Sequence, residues 1–214
     1  MNNGLLNVPR SLTLDPQNLQ TLYAVVSPYT RDSKEANVPF SGVFKSTNGG
    51  ENLASINEGL PTVKSSDNAD ILPPVDVISI IVDPRNPTIL YAKTDTSPFI
   101  FKSINGGITW NALVSTGLPA QNFPSFTFGL EIDPRNGDLY VRLLGPSLDS
   151  GTSSLYRSTD GGVTWLPTGL LSPFTPLTLE FDPRNPLVFY AADLSNIQKS
   201  IDDGITWSPV TGTA

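Results

Sequence analysis

Short stretches of this chain alternate apolar and polar residues, and each stretch ends at the same Asp-Pro turn. The turn occurs four times, beginning at Asp15, Asp83, Asp133 and Asp182. In every copy the residues one and three positions before the aspartate are apolar, and in three copies the residue between them is polar. A period of two predicts a half-buried β-strand that ends at the turn. After each turn an apolar run ends near a tyrosine, which predicts a second strand that reverses onto the first.

A second repeat, eight residues long, alternates strictly with the Asp-Pro turn. Its third residue is Asn or Asp and its fifth is Gly, while Trp ends three copies and the smaller Leu53 ends the first. A short side-chain acceptor can bind the N–H groups of its own turn, and glycine adopts the positive φ that a tight turn needs. The repeat therefore predicts a self-capped turn between two strands, with the tryptophan packed beneath it. The residues predicted to build these turns are Ser46, Asn48, Gly50, Ser103, Asn105, Gly107, Trp110, Ser158, Asp160, Gly162, Trp165, Ser200, Asp202, Gly204 and Trp207.

Each unit thus consists of a strand, an Asp-Pro turn, a strand, a loop, a strand, an eight-residue turn and a strand, and such repetition indicates a modular array. The eight-residue repeat resembles the Asp-box, also called the BNR repeat, of sialidases, sortilin-type receptors and xyloglucan-cleaving propellers. The resemblance implies an all-β fold: a β-propeller with four Asp-box blades of four antiparallel strands. The expected blades are about residues 5–60, 61–118, 119–170 and 171–214 of a single domain, 1–214.

The number of units bears on how the propeller is completed. Rings of Asp-box blades generally have six or more members, so the chain is expected either to be part of a larger, six- to eight-bladed ring or to associate with a copy of itself. Both ends look cut from a longer array, and the amino terminus lacks the pattern of a signal peptide. The cut ends indicate a larger protein, which we expect to be of bacterial type and to have an extracellular or cell-surface location.

Composition excludes several kinds of chemistry. The 214 residues contain no histidine and no cysteine, which rules out a histidine-dependent triad, a disulfide and the usual zinc ligand sets. The formal net charge of −7 disfavours a nucleic-acid partner, because such partners are bound through clustered Lys and Arg. No segment reaches the roughly 18 apolar residues that span a bilayer. The sequence predicts no cofactor, no metal and no membrane insertion.

The repeats also show where the units differ from one another. Both turns keep a constant length, whereas the loop between the second and third strands and the connection between units vary. In an up-and-down blade these variable segments emerge on one side, and such loops on a rigid scaffold commonly carry binding sites. We call this side the variable-loop face, formed by residues 27–42, 61–76, 115–125 and 142–154. Its predicted ligand contacts are Tyr29, Arg31, Phe40, Asp67, Asp70, Asp76, Phe123, Arg142 and Asp149.

Two main functions fit these features. We favour a non-catalytic propeller that binds a protein or carbohydrate ligand on the variable-loop face, because binding needs no histidine and aromatic side chains there can stack on sugars. The alternative is a fragment of a two-carboxylate glycoside hydrolase of the xyloglucan-cleaving type. Its general acid and base would come from Asp67, Asp70, Asp76 and Asp149.

Two further groups of charged residues have structural interpretations. Glu131 and Glu180 occupy equivalent strand positions in neighbouring units, where local bonding is favoured over a functional acidic pair. Arg85, Arg135 and Arg184 repeat at one turn position, as structural residues do, so they do not form the arginine cluster that a sialidase needs. A sialidase is therefore less favoured than the other carbohydrate-active enzymes.

Overall fold

The computed structural model describes residues 9–26, 42–64, 71–74, 77–94, 100–118, 127–143, 154–171, 174 and 176–211. Every regular element among these residues is a β-strand, so the predicted all-β class is confirmed. Four sheets contain four antiparallel strands each, and one further pair of strands forms a hairpin. None of the described residues belongs to a helix of the length and apolar character needed to cross a bilayer.

The four-stranded sheets are four consecutive blades. Blade 1 contains β1 (Pro9–Asp15), β2 (Asn18–Val26), β3 (Gly42–Ser46) and β4 (Ala54–Ser55), and the hairpin contains β5 (Thr62–Lys64) and β6 (Ile71–Pro74). Blade 2 contains β7 (Val77–Val82), β8 (Leu90–Thr94), β9 (Ile100–Ser103) and β10 (Asn111–Ala112). Blade 3 contains β11 (Thr127–Ile132), β12 (Leu139–Leu143), β13 (Leu155–Ser158) and β14 (Leu166–Pro167). Blade 4 contains β15 (Thr178–Phe181), β16 (Phe189–Ala192), β17 (Ile197–Ser200) and β18 (Ser208–Pro209).

Each blade is an up-and-down meander in which strands pair in sequence order. The Asp-Pro turn joins the first two strands and the eight-residue turn joins the last two, so the predicted order of elements is confirmed in all four blades. The aspartate sets the first turn, because Asp15 Oδ1 accepts the N–H groups of Gln17 and Asn18 at 2.8 and 3.2 Å. Asp133 Oδ1 accepts the N–H of Arg135 at 2.9 Å in the same way.

The β5–β6 hairpin differs from the prediction, which treated residues 61–76 as a loop. Its strands have only three and four residues, and their register is irregular between Thr62 and Lys64. Strands this short cannot show the alternation by which the longer ones were predicted. The longest connection between units therefore contains secondary structure of its own.

The chain divides into two compact units, residues 1–113 and 114–214. In the first unit, blade 1 packs onto blade 2 through one apolar cluster, and Thr13 Oγ1 donates a hydrogen bond to Ile80 O at 2.8 Å. The tryptophan of the second eight-residue turn, Trp110, is buried in this cluster. Blade 1 and the segment after it contribute Tyr23, Val25, Val43 and Leu60, and blade 2 contributes Val77, Ile80, Val82, Leu90, Ala92, Phe101 and Trp110.

The second unit repeats this packing with more aromatic residues. Tyr140, Leu155 and Leu170 of the preceding segment cluster with Leu179, Phe189 and Ala191 of blade 4. The rings of Tyr140 and Phe189 meet edge to face with centroids 5.4 Å apart, a geometry favoured by the aromatic quadrupole. In both units, therefore, the second and third strands of one blade pack against the first two strands of the next blade.

A glycine after each of the first three eight-residue turns lies directly against the backbone of the following turn. The N–H of Trp110 donates to Glu58 O at 2.8 Å, which brings the adjacent Gly59 close to that backbone. The three distances from an added Cβ to the facing carbonyl oxygen are 2.0 Å for Gly59 and Trp110, 2.1 Å for Gly117 and Trp165, and 2.0 Å for Gly169 and Ile205. No larger residue fits at these positions without movement of a backbone. The sequence analysis missed this third repeat, although Gly-Leu follows each of the first three eight-residue turns.

Candidate functional site

The eight-residue turns share one hydrogen-bond network. In every copy the serine Oγ donates to the Asn or Asp two residues later, at 2.7 to 2.9 Å, and accepts the N–H of the glycine four residues later, at 2.8 to 2.9 Å. The Asn or Asp oxygen also accepts the N–H four residues further on, at 2.8 to 3.1 Å. The serines are buried in all four copies. The polar atoms of the turn therefore serve the turn itself.

The electrostatics of the two aspartate copies agree with this role. Hydrogen bonds from the hydroxyl and N–H of Thr164 and from Ser158 lower the pKa of Asp160 to about 2. The hydroxyl and N–H of Thr206 likewise lower the pKa of Asp202. A general acid needs the opposite, a carboxyl group whose pKa is raised so that it still carries a proton near neutral pH. The lowered pKa favours the charged form of both aspartates, which suits turn caps and not proton donors.

The three tryptophans anchor the turns in two ways. Trp165 and Trp207 donate their indole N–H to the glycine carbonyl of their own turn, each at 3.0 Å. Trp110 instead donates to Ile56 O of the preceding blade at 2.7 Å. In the first blade Leu53 occupies this position and packs against a small cluster of Ala24, Val26 and Phe44. The anchor thus binds either its own turn or the blade before it.

Most of the predicted ligand contacts lie outside the described residues. These are Tyr29, Arg31, Phe40, Asp67, Asp70, Asp76, Phe123 and Asp149. Arg142 is described, and it lies within strand β12, whereas the sequence placed it at the start of a loop. The structure therefore locates one member of the predicted set, and the others remain predictions.

Arg142 is buried and makes contacts that tie three segments together. Its Nη2 lies 2.6 Å from Glu131 Oε1 of strand β11, and its Nε donates to the same carboxylate at 3.0 Å. Its Nη1 donates to the carbonyl groups of Pro176 and Leu177, just before β15. Glu131 is thus locally bonded, in agreement with the interpretation favoured from the sequence. The charge of Arg142 is used within the fold, and a ligand contact through it stays a prediction.

A second charged cluster, not foreseen from the sequence, surrounds Arg157 on strand β13. Its guanidinium lies 2.5 Å from Asp138 Oδ2 and 2.5 Å from Asp203 Oδ2, and it covers the ring of Tyr140 at 5.9 Å. Burial raises the pKa of the Tyr140 hydroxyl, and that hydroxyl has no hydrogen-bond partner within the described part of the chain. Asp203 has a φ of 63°, at the turn position where the other three copies have glycine. The one sequence signal that could have pointed to this cluster is the replacement of glycine by Asp203, which makes the last turn read Asp-Asp-Gly.

The Arg157 cluster borders a groove of about 270 Å³ between β14 and the last eight-residue turn. Thr164, Leu166, Thr168 and Ile205 line it together with Arg157 and Asp203. The guanidinium of Arg157 pairs with both acidic groups, and the rest of the groove offers hydroxyl groups and apolar surface. No group of three metal-ligating side chains occurs among the described residues.

Comparison with known proteins relates this fold to a class of carbohydrate-active enzymes. No protein-family model matches the chain. A xyloglucanase from Hypocrea jecorina (strain QM6a) is 25% identical over 227 residues, which covers 94% of this chain and 26% of the relative. A xyloglucanase from Paenibacillus sp is 29% identical over 157 residues, which covers 63% of this chain and 14% of the relative. The chain thus spans about a quarter or less of the length of these relatives.

A solved structure gives the same relationship at the level of the fold. The GH74 enzyme of Niastella koreensis matches with a TM-score of 0.63 and 22% identity, over 94% of this chain and 30% of that chain. At this identity the likeness shows the fold alone. The fold is a β-propeller with four blades present in this chain, and the match to only part of the longer protein agrees with a partial ring.

Proposed function

We propose that this chain is the glycan-binding part of an Asp-box β-propeller and that its ligand is a xyloglucan-like polysaccharide. The observation that carries the proposal is the match of 94% of the chain to a xyloglucanase. The four identical turn networks support the Asp-box assignment, because the same serine, acceptor and glycine atoms are paired in every copy. A binding role also agrees with the variable-loop face, where loops differ between units of constant framework.

The chemistry of the described carboxylates favours binding over hydrolysis. Asp160 and Asp202 cap eight-residue turns, Asp138 and Asp203 both pair with the guanidinium of Arg157, and Glu131 is paired with an arginine. A two-carboxylate glycosidase needs one carboxyl group with a raised pKa and a second one across the scissile bond. The carboxylates named here are engaged in holding the fold.

The sugar contacts are proposed to come from the aromatic side chains predicted on the variable-loop face. Tyr29, Phe40 and Phe123 offer ring faces on which a glucan backbone can stack. Such a surface suits a neutral polysaccharide, since it requires no charge on the ligand. We also propose that the protein lies outside the cell, where such polysaccharides are met.

A second candidate function is hydrolysis, since both relatives are xyloglucanases. As a fragment of a xyloglucan-cleaving enzyme, the chain would contribute carboxylates to hydrolysis. The candidates are Asp67, Asp70, Asp76 and Asp149, predicted on the variable-loop face. The two functions share the ligand and differ in whether a glycosidic bond is broken.

Calorimetry with xyloglucan oligosaccharides tests the binding proposal directly. We expect saturable binding that is weakened at least tenfold in a Tyr29→Ala/Phe123→Ala double variant. An Ile104→Ala variant is the matched control, because Ile104 is an exposed apolar residue in the eight-residue turn of blade 2, on the side opposite the variable-loop face. Binding of unbranched cello-oligosaccharides, measured in the same way, shows whether the side branches of xyloglucan contribute to the affinity. Absence of binding to both sugars would refute the proposed function.

A reducing-end assay on polymeric xyloglucan separates the two candidates. Binding without release of reducing ends supports the binding role. Release of reducing ends that disappears in the Asp67→Asn/Asp70→Asn/Asp76→Asn/Asp149→Asn variant would replace it with the hydrolase role. The amide substitutions keep size and hydrogen bonding while removing the proton that general acid catalysis requires.

A further inference from the structure

The groove between blades 3 and 4 contains polar groups that the fold does not use. Blade 3 contributes residues of β13, of its eight-residue turn and of β14, and the turn of blade 4 contributes residues 203–205. None of these residues belongs to the variable-loop face. Drug-sized ligands occupy clefts of about 300–1,000 Å³, so a groove of about 270 Å³ suits a smaller molecule.

The less exposed part of the groove is polar. The side chains of Arg157 and Asp203 are 24% and 25% exposed. Nε and Nη2 of Arg157 donate to Asp138 Oδ2, and Nη1 pairs with Asp203 Oδ2. These contacts use at most three of the five N–H groups of the guanidinium. Among the described residues, at least two N–H groups of Arg157 and the Oδ1 atom of Asp203 therefore have no partner.

The more exposed part of the groove is apolar. Leu166 of blade 3 and Ile205 of blade 4 are 70% and 68% exposed, and Pro167 follows Leu166 along the same edge. The hydroxyl group of Thr159 also lines the groove, and it has no hydrogen-bond partner in the described part of the chain. A ligand that satisfies both parts must combine a polar edge with apolar faces.

Asp203 holds a backbone conformation that favours glycine. Its φ is 63°, and the same turn position in the other copies is Gly49, Gly106 or Gly161, with φ of 71°, 70° and 73°. Over the ranges that the structure describes, it is the only non-glycine residue with a positive φ. This conformation costs about 1–2 kcal/mol, and such outliers cluster at functional sites. The groove thus has a carboxylate where the other turns have no side chain.

The charges of the groove favour an uncharged ligand that carries hydroxyl groups. Arg157 balances only one of its two carboxylate partners, so the cluster keeps one net negative charge and disfavours an anion. A purely apolar ligand would cover the free N–H groups and Asp203 Oδ1 without binding them, which costs free energy. A pyranose ring fits better, because its hydroxyl groups donate and accept hydrogen bonds while the faces of the ring are C–H groups.

We propose that this groove binds one sugar ring of the polysaccharide and is a second binding site, separate from the variable-loop face. The class of ligand rests on the proposed function. One hydroxyl group of the ring donates to Asp203 Oδ1, and its neighbour accepts an N–H group of Arg157. Leu166 and Ile205 contact the C–H groups of the ring. Two sites on one chain hold a long polysaccharide more tightly than either site alone.

Amide NMR of the full chain, titrated with a xyloglucan heptasaccharide, observes the groove and the variable-loop face separately. We expect saturable shifts of the Thr168, Gly204 and Ile205 signals. Asp203→Gly should weaken this binding about tenfold, because a hydrogen bond to a charged group is lost. The variant should stay folded, since glycine occupies this position in the other turns and Asp138 still pairs with Arg157. Shifts confined to the variable loops would overturn the second site alone, and no shifts anywhere would refute the proposed function as well.

Two exposed isoleucines in the turn of blade 4 provide a matched pair of variants. Ile205 and Ile201 are 68% and 65% exposed, and only Ile205 lines the groove. Ile205→Ser should weaken sugar binding about threefold through lost apolar contact, whereas Ile201→Ser should leave it unchanged. Equal effects of the two substitutions would contradict the assigned contact. Titration with butylammonium chloride tests a cationic ligand instead, and groove shifts that saturate at a lower concentration than with the heptasaccharide would overturn the sugar assignment.

Discussion

Replacing Gly59 with alanine tests whether the blade junction of the first unit depends on close backbone contact. Gly59 has a φ of 89°, and an added Cβ would lie 2.0 Å from Trp110 O and 3.0 Å from Trp110 C. The facing backbone cannot easily move away, because the N–H of Trp110 donates to Glu58 O and its indole to Ile56 O. The substitution must therefore either shift β10 or break these bonds.

The expected loss of stability is the sum of two effects. A non-glycine residue with positive φ costs about 1–2 kcal/mol, and forcing an extra methyl group into a packed contact costs about 1–3 kcal/mol more. Gly106→Ala is the matched control for the first effect. Its φ is 70°, but its added Cβ meets only Lys45 Nζ, at 3.1 Å, and the end of a lysine side chain can move. Gly59→Ala should thus be about 1–3 kcal/mol worse than Gly106→Ala.

Amide hydrogen exchange read by mass spectrometry resolves this difference within one unit. Peptides from β7 to β9 report opening of the first unit, and each 1.4 kcal/mol of lost stability speeds exchange about tenfold when opening is at equilibrium. Peptides from β15 to β17, in the second unit, serve as the internal reference. Equal exchange in the Gly59→Ala and Gly106→Ala variants would refute the close-contact reasoning, since only the former has the clash.

Three further outcomes are expected from the described contacts. Asp160, whose pKa is lowered to about 2, adds stability above its unfolded pKa of about 3.9, and this is lost as pH falls towards 2. Asp160→Asn should therefore reduce the drop in the urea midpoint between pH 7 and pH 3, and an unchanged drop would contradict this role. Trp110→Leu should cost about 2–4 kcal/mol in urea unfolding, because packing is lost and Ile56 O loses its donor; a loss below about 1 kcal/mol would contradict the anchor role. Arg142→Met should cost about 2–4 kcal/mol by removing the buried guanidinium that pairs with Glu131 and with two carbonyl groups; a loss below about 1 kcal/mol would contradict this role.

The positions of strands and turns were predictable because their signals lie within a few residues of one another. The Ser103 network, for example, is complete within the turn itself, from Ser103 Oγ to the N–H of Gly107 and from Asn105 Oδ1 to the N–H of Thr109. The candidate site was less predictable. Arg142 was expected in a loop, yet it lies in β12. Its partners Glu131 and Leu177 come from other segments, and the sequence pattern gives no sign that these segments meet Arg142.

Residues close in sequence determined the all-β class, the order of strands in each blade and the two kinds of turn, because hydrogen bonds that close within a few residues leave a local pattern. The tertiary structure alone decided which blade surfaces are covered. Gly59 meets Trp110, and Lys45 reaches the turn of the next blade, across more than 50 residues. Such contacts depend on how whole sheets pack, and packing also leaves Ile197 exposed while Leu155 is buried at the equivalent position.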